Sequence, residues 1–321
     1  MITPPIAYIV FNRPRHTEKT FAAIRAQQPS KLFIIADGPR PGHPTDTERC
    51  QAVRDIVAQI DWPCEVHRNF AEQNMGCKKR ISSGLDWVFE HVESAIIIED
   101  DCLPHPDFFG YCAELLDRYK ADERVWVITG NNFQNGVRRG DASYYFSKFN
   151  HCWGWATWRR AWVHYQVDIP FWADWKLSTD WLSKTPDRVE RKVFGDLFDR
   201  VSRGEIDTWD YQWTACVWYH NGLTATPNTN LVTNIGFGPD ATHTLADNDR
   251  DGLPSNPLGP LTHPTVFQAN RRADKLIFDQ NFGGASHPDR MINKIKGKYQ
   301  RMLRLPKWVL KQLMRLIASK P

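Results

Sequence analysis

A chain of 321 residues that is 41% hydrophobic and 24% charged has an ordinary globular composition, with room for one large domain or two small ones. Its net charge of +4 hides a split: residues 290–321 carry ten Lys/Arg and no Asp/Glu, leaving residues 1–289 with 31 basic against 37 acidic groups, a net of −6. An acidic body argues against a nucleic-acid partner, a basic tail asks for a partner of its own, and seven scattered cysteines without CxxC spacing argue against a disulfide framework or a zinc site.

No secretory pattern precedes Ile6, and no apolar run approaches the roughly 20 residues of a spanning helix, so a cytoplasmic protein is expected. Ile6–Phe11 is a continuous apolar run, the pattern of a strand buried on both faces. Pro14 opens a helical pattern through about Gln27, with Phe21 and Ile24 on one face. Leu32–Ala36 reads as a strand ending at Asp37-Gly38-Pro39-Arg40, and a Pro/Gly-rich loop leads to a helix over Glu48–Ile60. Cys64–His67 is a third strand, Ile81–Val92 a helix, Ala95–Ile98 a fourth strand, and Asp107–Tyr119 another helix. This alternation predicts βαβ units and a mostly parallel, Rossmann-like sheet flanked by helices.

After Val125–Ile128 the alternation breaks down. Ten of the fourteen tryptophans lie between Trp153 and Trp218, with helices expected over Trp158–Gln166, Thr179–Ser183 and Arg188–Arg203 and another starting near Asp210. Residues 234–265 are rich in Gly and Pro. The expected organisation is a nucleotide-binding half over 1–130, an aromatic-rich half over 131–289, and a tail over 290–321.

The apolar run Ile96-Ile97-Ile98 stops on Glu99-Asp100-Asp101. Three consecutive acids repel one another, and a hard divalent cation with oxygen ligands would relieve that repulsion; a solvated acidic turn is the alternative. In open α/β sheets ligands sit beyond the carboxyl ends of strands. Asn12 and Arg13 follow the first strand, Asp37 the second, and the acidic triplet the fourth, so all could line one cleft. An acid after the second strand suits a base or ribose contact, and Arg13 a base or phosphate, although Asp37-Gly38 alone also reads as a turn. Asn74-Met75-Gly76-Cys77-Lys78-Lys79-Arg80 runs into a helix and could cradle phosphate through backbone N–H groups, Lys78 and Lys79, or be solvated basic surface.

Strand-Asn-Arg, strand-Asp-Gly and Ile96-Ile97-Ile98-Glu99-Asp100-Asp101-Cys102-Leu103-Pro104-His105-Pro106-Asp107-Phe108-Phe109 together resemble GT-A nucleotide-sugar glycosyltransferases. The likeness is to the N-acetylglucosaminyltransferase I type and to bacterial family-2-like sugar transferases, over nearly all of residues 5–285. The resemblance implies a GT-A fold, Asp101 as ligand of Mn²⁺ or Mg²⁺, and Glu99 and Asp100 as donor-binding. Thr208-Trp209-Asp210-Tyr211-Gln212-Trp213 resembles the family's Trp-Asp-Asp-Trp segment, which implies Asp210 as the catalytic base, with Tyr211 replacing the second acid. As a bare sequence, Asp210 also suits a helix N-cap.

Asn150-His151-Cys152-Trp153-Gly154-Trp155-Ala156 is similar to the family's aromatic stretch beside the sugar pocket. That places Trp153, Gly154, Trp155, Trp209 and Trp213 at an acceptor or sugar pocket, with the other tryptophans as core. His243, in a late glycine-containing loop, is a candidate for metal or diphosphate contact, or a solvated loop histidine. The resemblance implies transfer from a nucleotide diphosphate sugar, UDP-linked by expectation, to a glycan or glycolipid hydroxyl. One base without an evident second nucleophilic carboxylate implies inversion, with retention the runner-up mechanism. A nucleotidyltransferase acting on sugar phosphates and a non-catalytic sugar-binding protein are the rival classes. In the tail, Leu310, Leu313, Met314 and Ile317 form an apolar stripe beside Lys307, Lys311 and Arg315, a basic amphipathic helix suited to an anionic membrane surface or to packing on a partner.

Overall fold

The computed structural model describes residues 3–237 and 252–290. Its first half alternates as expected: β1 (Ile6–Val10), α1 (Pro14–Gln27), β2 (Lys31–Ala36), α2 (Asp46–Val57), β3 (Glu65–Phe70), α3 (Cys77–His91) and β4 (Ser94–Glu99). A short β5 (Cys102–Pro104), α4 (Pro106–Arg118) and β6 (Val125–Thr129) follow. Local chemistry explains several boundaries. Pro14 starts α1 with its φ already helical, and α1 ends where Gln28 turns left-handed at φ 45°. In α4 the imidazole of His105 accepts from the Asp107 backbone N–H at 3.1 Å, Pro106 takes the first helical position, and Phe108, Phe109, Cys112, Leu115 and Leu116 fill the buried face.

The second half adds β7 (Tyr144–Ser147), β8 (Trp155–Trp158), α5 (Arg159–Trp162), α6 (Trp172–Trp175), α7 (Thr179–Lys184), α8 (Arg188–Ser202), α9 (Asp210–Tyr219), β9 (Leu223–Pro227), β10 (Val232–Asn234) and α10 (Arg271–Asn281). One eight-stranded sheet runs in the order β3-β2-β1-β4-β8-β6-β9-β7 and so spans both halves. β3, β2, β1 and β4 are mutually parallel, as predicted. β8, a strand the sequence did not announce, lies antiparallel between β4 and β6, and the helix expected over Trp158–Gln166 is cut back to Arg159–Trp162. Trp-Ala-Thr-Trp buries on both faces of the sheet and the helix that follows is a single turn. The sheet is therefore mixed.

Buried side chains sandwich the sheet. One face carries Tyr8, Ile34, Ile98 and Phe108, and the other Phe33, Ile97 and most of the tryptophans. β5 and β10 form a separate antiparallel pair, Cys102 opposite Asn234, which brings the segment after Asn234 over the acidic triplet. No helix among the described residues is long and apolar enough to cross a membrane.

Candidate active site

A cleft of about 680 Å³ opens at the carboxyl rim of β1, β2 and β4. It collects Phe11 and Arg13 after β1, Asp37 and Arg40 after β2, Glu99, Asp100 and Asp101 at the end of β4, and Trp153, Asp207, Trp209 and Asp210 from the aromatic half. The parallel register sets this up, because Ile9 of β1 lies opposite Glu99 of β4 and the chain leaves both strands on one side. Residues almost 200 positions apart in sequence thus face a common space.

Arg13 is the counter-ion of the triplet. Its guanidinium donates to Asp100 Oδ1 through a short contact and to Asp101 Oδ2 at 3.0 Å. Burial works against the charge of Arg13, but Asp100 and Asp101 outweigh it and hold the guanidinium firmly protonated. One cation cannot neutralise three acids. Glu99 is pushed up to about 8, first by burial and then by Asp101, and Arg13 offsets only part of this. Burial likewise raises Asp100, against the pull of Arg13, while the Phe11 backbone N–H donates to its Oδ2 at 3.4 Å. The Cys77 and Cys152 thiols on the same wall are driven up by burial and by the nearby Glu99 and Asp210, so both stay neutral.

Asp101 sits under the segment that follows β10. Ile235 N–H donates to the Asp101 carbonyl at 2.7 Å, His16 Nε2 bonds the Ile235 carbonyl at 2.9 Å, and a Cβ at Gly236 would fall 2.3 Å from Asp101 Oδ2. Only glycine permits so close an approach of backbone to carboxylate. Asp210 is the first residue of α9, and the Thr208 hydroxyl donates to its Oδ1. Asp210 contributes to the rise of Glu99, which places the two acids within electrostatic reach across the cleft.

Several expected site residues have other duties. Asn12 does not line the cleft: its Nδ2 donates to buried Asp46 at 2.8 Å. Arg40 also binds Asp46, at 2.6 and 2.9 Å, and its charge-assisted bonds hold the Asp46 carboxyl well below the usual range. Asp37 lines the cleft, yet both its oxygens are engaged by the 74–76 turn: Met75 N–H at 2.9 Å, Gly76 N–H at 3.2 Å and Asn74 Nδ2 at 3.0 Å. Two of the N–H groups expected to cradle phosphate, those of Met75 and Gly76, are therefore already given to a carboxylate. Lys78 and Lys79 do not line the cleft, and Arg80 from the same turn does, bonded to Asn69. Gly38 is a place of close approach, since a Cβ there would meet the Gln73 backbone at 2.5 Å.

Among the tryptophans, Trp153 and Trp209 reach the cleft, whereas Trp155 and Trp213 are core. Trp155 stacks on Trp209 at 5.6 Å, and Trp162 packs on Trp213 at 5.1 Å. Trp209 and Trp213 flank Asp210 in the chain, so this aromatic platform packs at the start of α9. Gly154 adopts φ +69° with Val232 where its side chain would be, so its role is conformational. His243 and the basic tail lie outside the described residues. Asn74, which opens the expected phosphate cradle, also lines the cleft, and Arg40, Asp207 and Asn234 are cleft residues that the sequence pattern did not single out. Arg40 was within view, three residues after Asp37; Asp207 and Asn234 carry no local signal.

The oxygen-rich donor set suits a hard cation better than a soft one. Among the described residues no group of three or more His, Cys, Asp or Glu side chains is arranged to hold a metal by protein ligands alone. Asp101, backed by uncompensated negative charge, fits a cation that takes one or two carboxylates and completes its shell with substrate phosphate and water.

The fold and cleft define an α/β protein with an acidic site at the carboxyl rim of a mixed sheet. No known protein family matches the chain, and no curated protein does. Similarities to solved structures include the mannosyltransferase PcManGT of Pyrobaculum calidifontis in complex with GDP-Man and Mn²⁺: 16% identity, 50% of this chain, 46% of that chain, TM-score 0.36. Another is 4-diphosphocytidyl-2C-methyl-D-erythritolsynthase of Anaerococcus prevotii, with 10% identity, 68% of this chain, 85% of that chain and a TM-score of 0.33. A third is the inositol-1-phosphate CTP transferase of T. maritima, with 8% identity, 51% and 74% coverage and a TM-score of 0.28. The match thus spans under half the length of the mannosyltransferase, and likenesses this distant carry no argument about activity.

Proposed function

We propose that this chain is a metal-dependent, inverting glycosyltransferase of GT-A architecture that moves a sugar from a nucleotide diphosphate sugar, UDP-linked, to a hydroxyl of a glycan or glycolipid. The observation that carries this reading is the meeting of Arg13, the Glu99–Asp101 triplet and Asp210 in one cleft of about 680 Å³. Residues 1–130 would supply the donor side and residues 131–289 the acceptor side. The Phe11 ring with the Arg40 guanidinium 5.5 Å from its centroid offers a flat wall for the nucleobase.

Mn²⁺ or Mg²⁺ held through Asp101 would neutralise charge developing on the leaving diphosphate. Arg13 steadies Asp100 and Asp101 and keeps the cluster from repelling the anionic donor. Glu99, at the cleft end of β4, would bind the donor alongside Asp100. Asp210, oriented by the Thr208 hydroxyl that donates to its Oδ1, receives the proton of the acceptor hydroxyl as it attacks the anomeric carbon. Trp153 offers an aromatic face to the sugar ring. The tail, if drawn to anionic lipid, would hold the enzyme at a membrane where a glycolipid acceptor lies.

Transfer from UDP-sugars to glycan acceptors by the wild type and by Asp210→Asn tests this. The variant should retain donor affinity and lose on the order of 10² to 10⁴ in turnover. Turnover above about a tenth of wild type rules Asp210 out as the base. Release of pyrophosphate from a nucleoside triphosphate and a sugar phosphate would assign nucleotidyl transfer instead.

A further inference from the structure

A second cavity, of about 440 Å³, follows the carboxyl ends of β6 and β9. Of the described residues, twelve line it and none of these is ionisable, although a chain 24% charged would place about three charges among twelve positions. The acidic cleft and the third cavity, around Lys148, Glu190 and Arg271, are both strongly charged. What lines the neutral pocket is mainly carboxamide. We infer that it is a subsite for an uncharged saccharide unit, the outer part of an acceptor glycan whose reacting hydroxyl lies in the acidic cleft.

Some of the amides build the pocket. Asn132 Nδ2 donates to the Pro227 carbonyl at 2.6 Å, Asn228 Nδ2 to the Arg139 and Ala142 carbonyls, and Asn230 Nδ2 to the Val232 carbonyl at 2.8 Å. These bonds fix the loops after β6 and β9 before any ligand arrives. The side chains of Asn135, Thr229, Gln280 and Asn281 make no hydrogen bond among the described residues and remain for a ligand. An amide offers donors and acceptors together, as a hydroxyl does, so such a set matches a polyol. Phe133, Leu253 and Pro254 add apolar surface for the C–H face of a sugar ring. A charged ligand would lose its hydration here and find no counter-charge among the described lining residues.

The position supports an acceptor role, and this part rests on the transferase reading above. β4 and β6 both run antiparallel to β8, and β9 is parallel to β6, so the pocket opens on the same rim as the cleft. The two cavities share a wall: the Phe133 ring of the pocket meets the Trp153 ring of the cleft edge-on at 5.4 Å. The segment running into β10 joins them lengthwise, with Asn230 before the strand in the pocket and Asn234 at its end in the cleft, four residues or roughly 13 Å of extended chain apart. A glycan lying along β10 would reach both.

Saturation-transfer NMR on the full chain tests this with maltotriose, mannotriose and N-acetylchitotriose as neutral probes, trigalacturonic acid as the acidic one, and UDP as probe of the cleft. At least one neutral trisaccharide should bind in the millimolar range and trigalacturonate should not. Gln280→Trp, at an exposed helix position facing the pocket, should weaken that binding by about tenfold or more, as should the double variant Gln280→Ala/Asn281→Ala, with UDP binding unchanged. Equal binding of trigalacturonate, insensitivity to both variants, or no neutral binding at about 10 mM overturns the subsite. Trisaccharide binding that the variants abolish, without UDP binding, keeps the saccharide pocket and removes the transferase reading.

Discussion

Replacing Arg13 with Gln should destabilise the protein in a manner that grows with pH. Arg13 is the cation that bonds both Asp100 and Asp101, and all three side chains are largely shielded, at 15%, 3% and 17% exposure. Removing one partner of a buried ion pair leaves the other charge uncompensated, which costs roughly 3–5 kcal/mol. Glu99 and Asp100 have folded values raised above their unfolded ones. Their contribution is therefore fully present below the unfolded carboxylate range and is lost as pH rises, for Glu99 through about 8. Without Arg13 both carboxyls are pushed higher still, so the deficit should be small near the bottom of that window and close to its full size at the top. Urea unfolding followed by tryptophan fluorescence, wild type against variant at roughly pH 5 and pH 8, measures it. A deficit that is the same at both ends, or below about 1 kcal/mol throughout, would refute the reasoning that Arg13 balances the triplet.

Asp274 is buried and accepts from the Ser147 hydroxyl at 2.6 Å; burial, partly offset by Ser147 and Lys148, pushes it up to about 6. The stability it contributes is present below the ordinary aspartate value and lost as pH rises through about 6, a swing on the order of 3 kcal/mol that Asp274→Asn should flatten in pH-dependent urea midpoints. Trp155→Ala should cost about 3–5 kcal/mol in urea unfolding and reduce turnover by loosening the platform at the start of α9, and a cost below about 1 kcal/mol would show that Trp155 does not support that helix. Truncation after Arg290, which keeps that residue's ion pairs with Asp187 and Asp279, should release the protein from anionic vesicles in co-sedimentation and leave activity on a soluble acceptor intact. Equal pelleting of both forms would assign the tail to packing or self-association.

Much of the donor side was legible because its signals are local. The continuous apolar runs of β1, β2 and β4, the Pro14 helix start and the Pro106-Asp107-Phe108-Phe109 helix each carry their own pattern, and the strand-end rule then brings Arg13 and the triplet together. The misreadings come from long-range contacts. The helix expected over Trp158–Gln166 is reduced to one turn because Trp155–Trp158 is drawn into the sheet by pairing with β4 and β6, reached across a long intervening stretch. The Gly76 turn has the composition of a phosphate cradle, but Asp37, 38 and 39 residues earlier in the chain, takes the N–H groups of Met75 and Gly76. Asn12 looked like a rim residue because nothing in its neighbourhood announces Asp46. Among the aromatic residues, composition cannot separate Trp153, which faces the cleft, from Trp155 two positions later; the two-residue alternation of a strand is broken there by Gly154 at φ +69°.

The central claim is that Asp101 holds a divalent cation together with a nucleotide sugar. Calorimetric titration of UDP-sugars into the wild type and Asp101→Ala, each with and without Mn²⁺, tests it most directly. The account predicts Mn²⁺-dependent binding to the wild type, loss of that dependence and of most affinity in Asp101→Ala, and an unchanged circular dichroism spectrum, because removing one acid from a repelling cluster leaves the fold intact. Unaltered Mn²⁺-dependent binding by Asp101→Ala would contradict it.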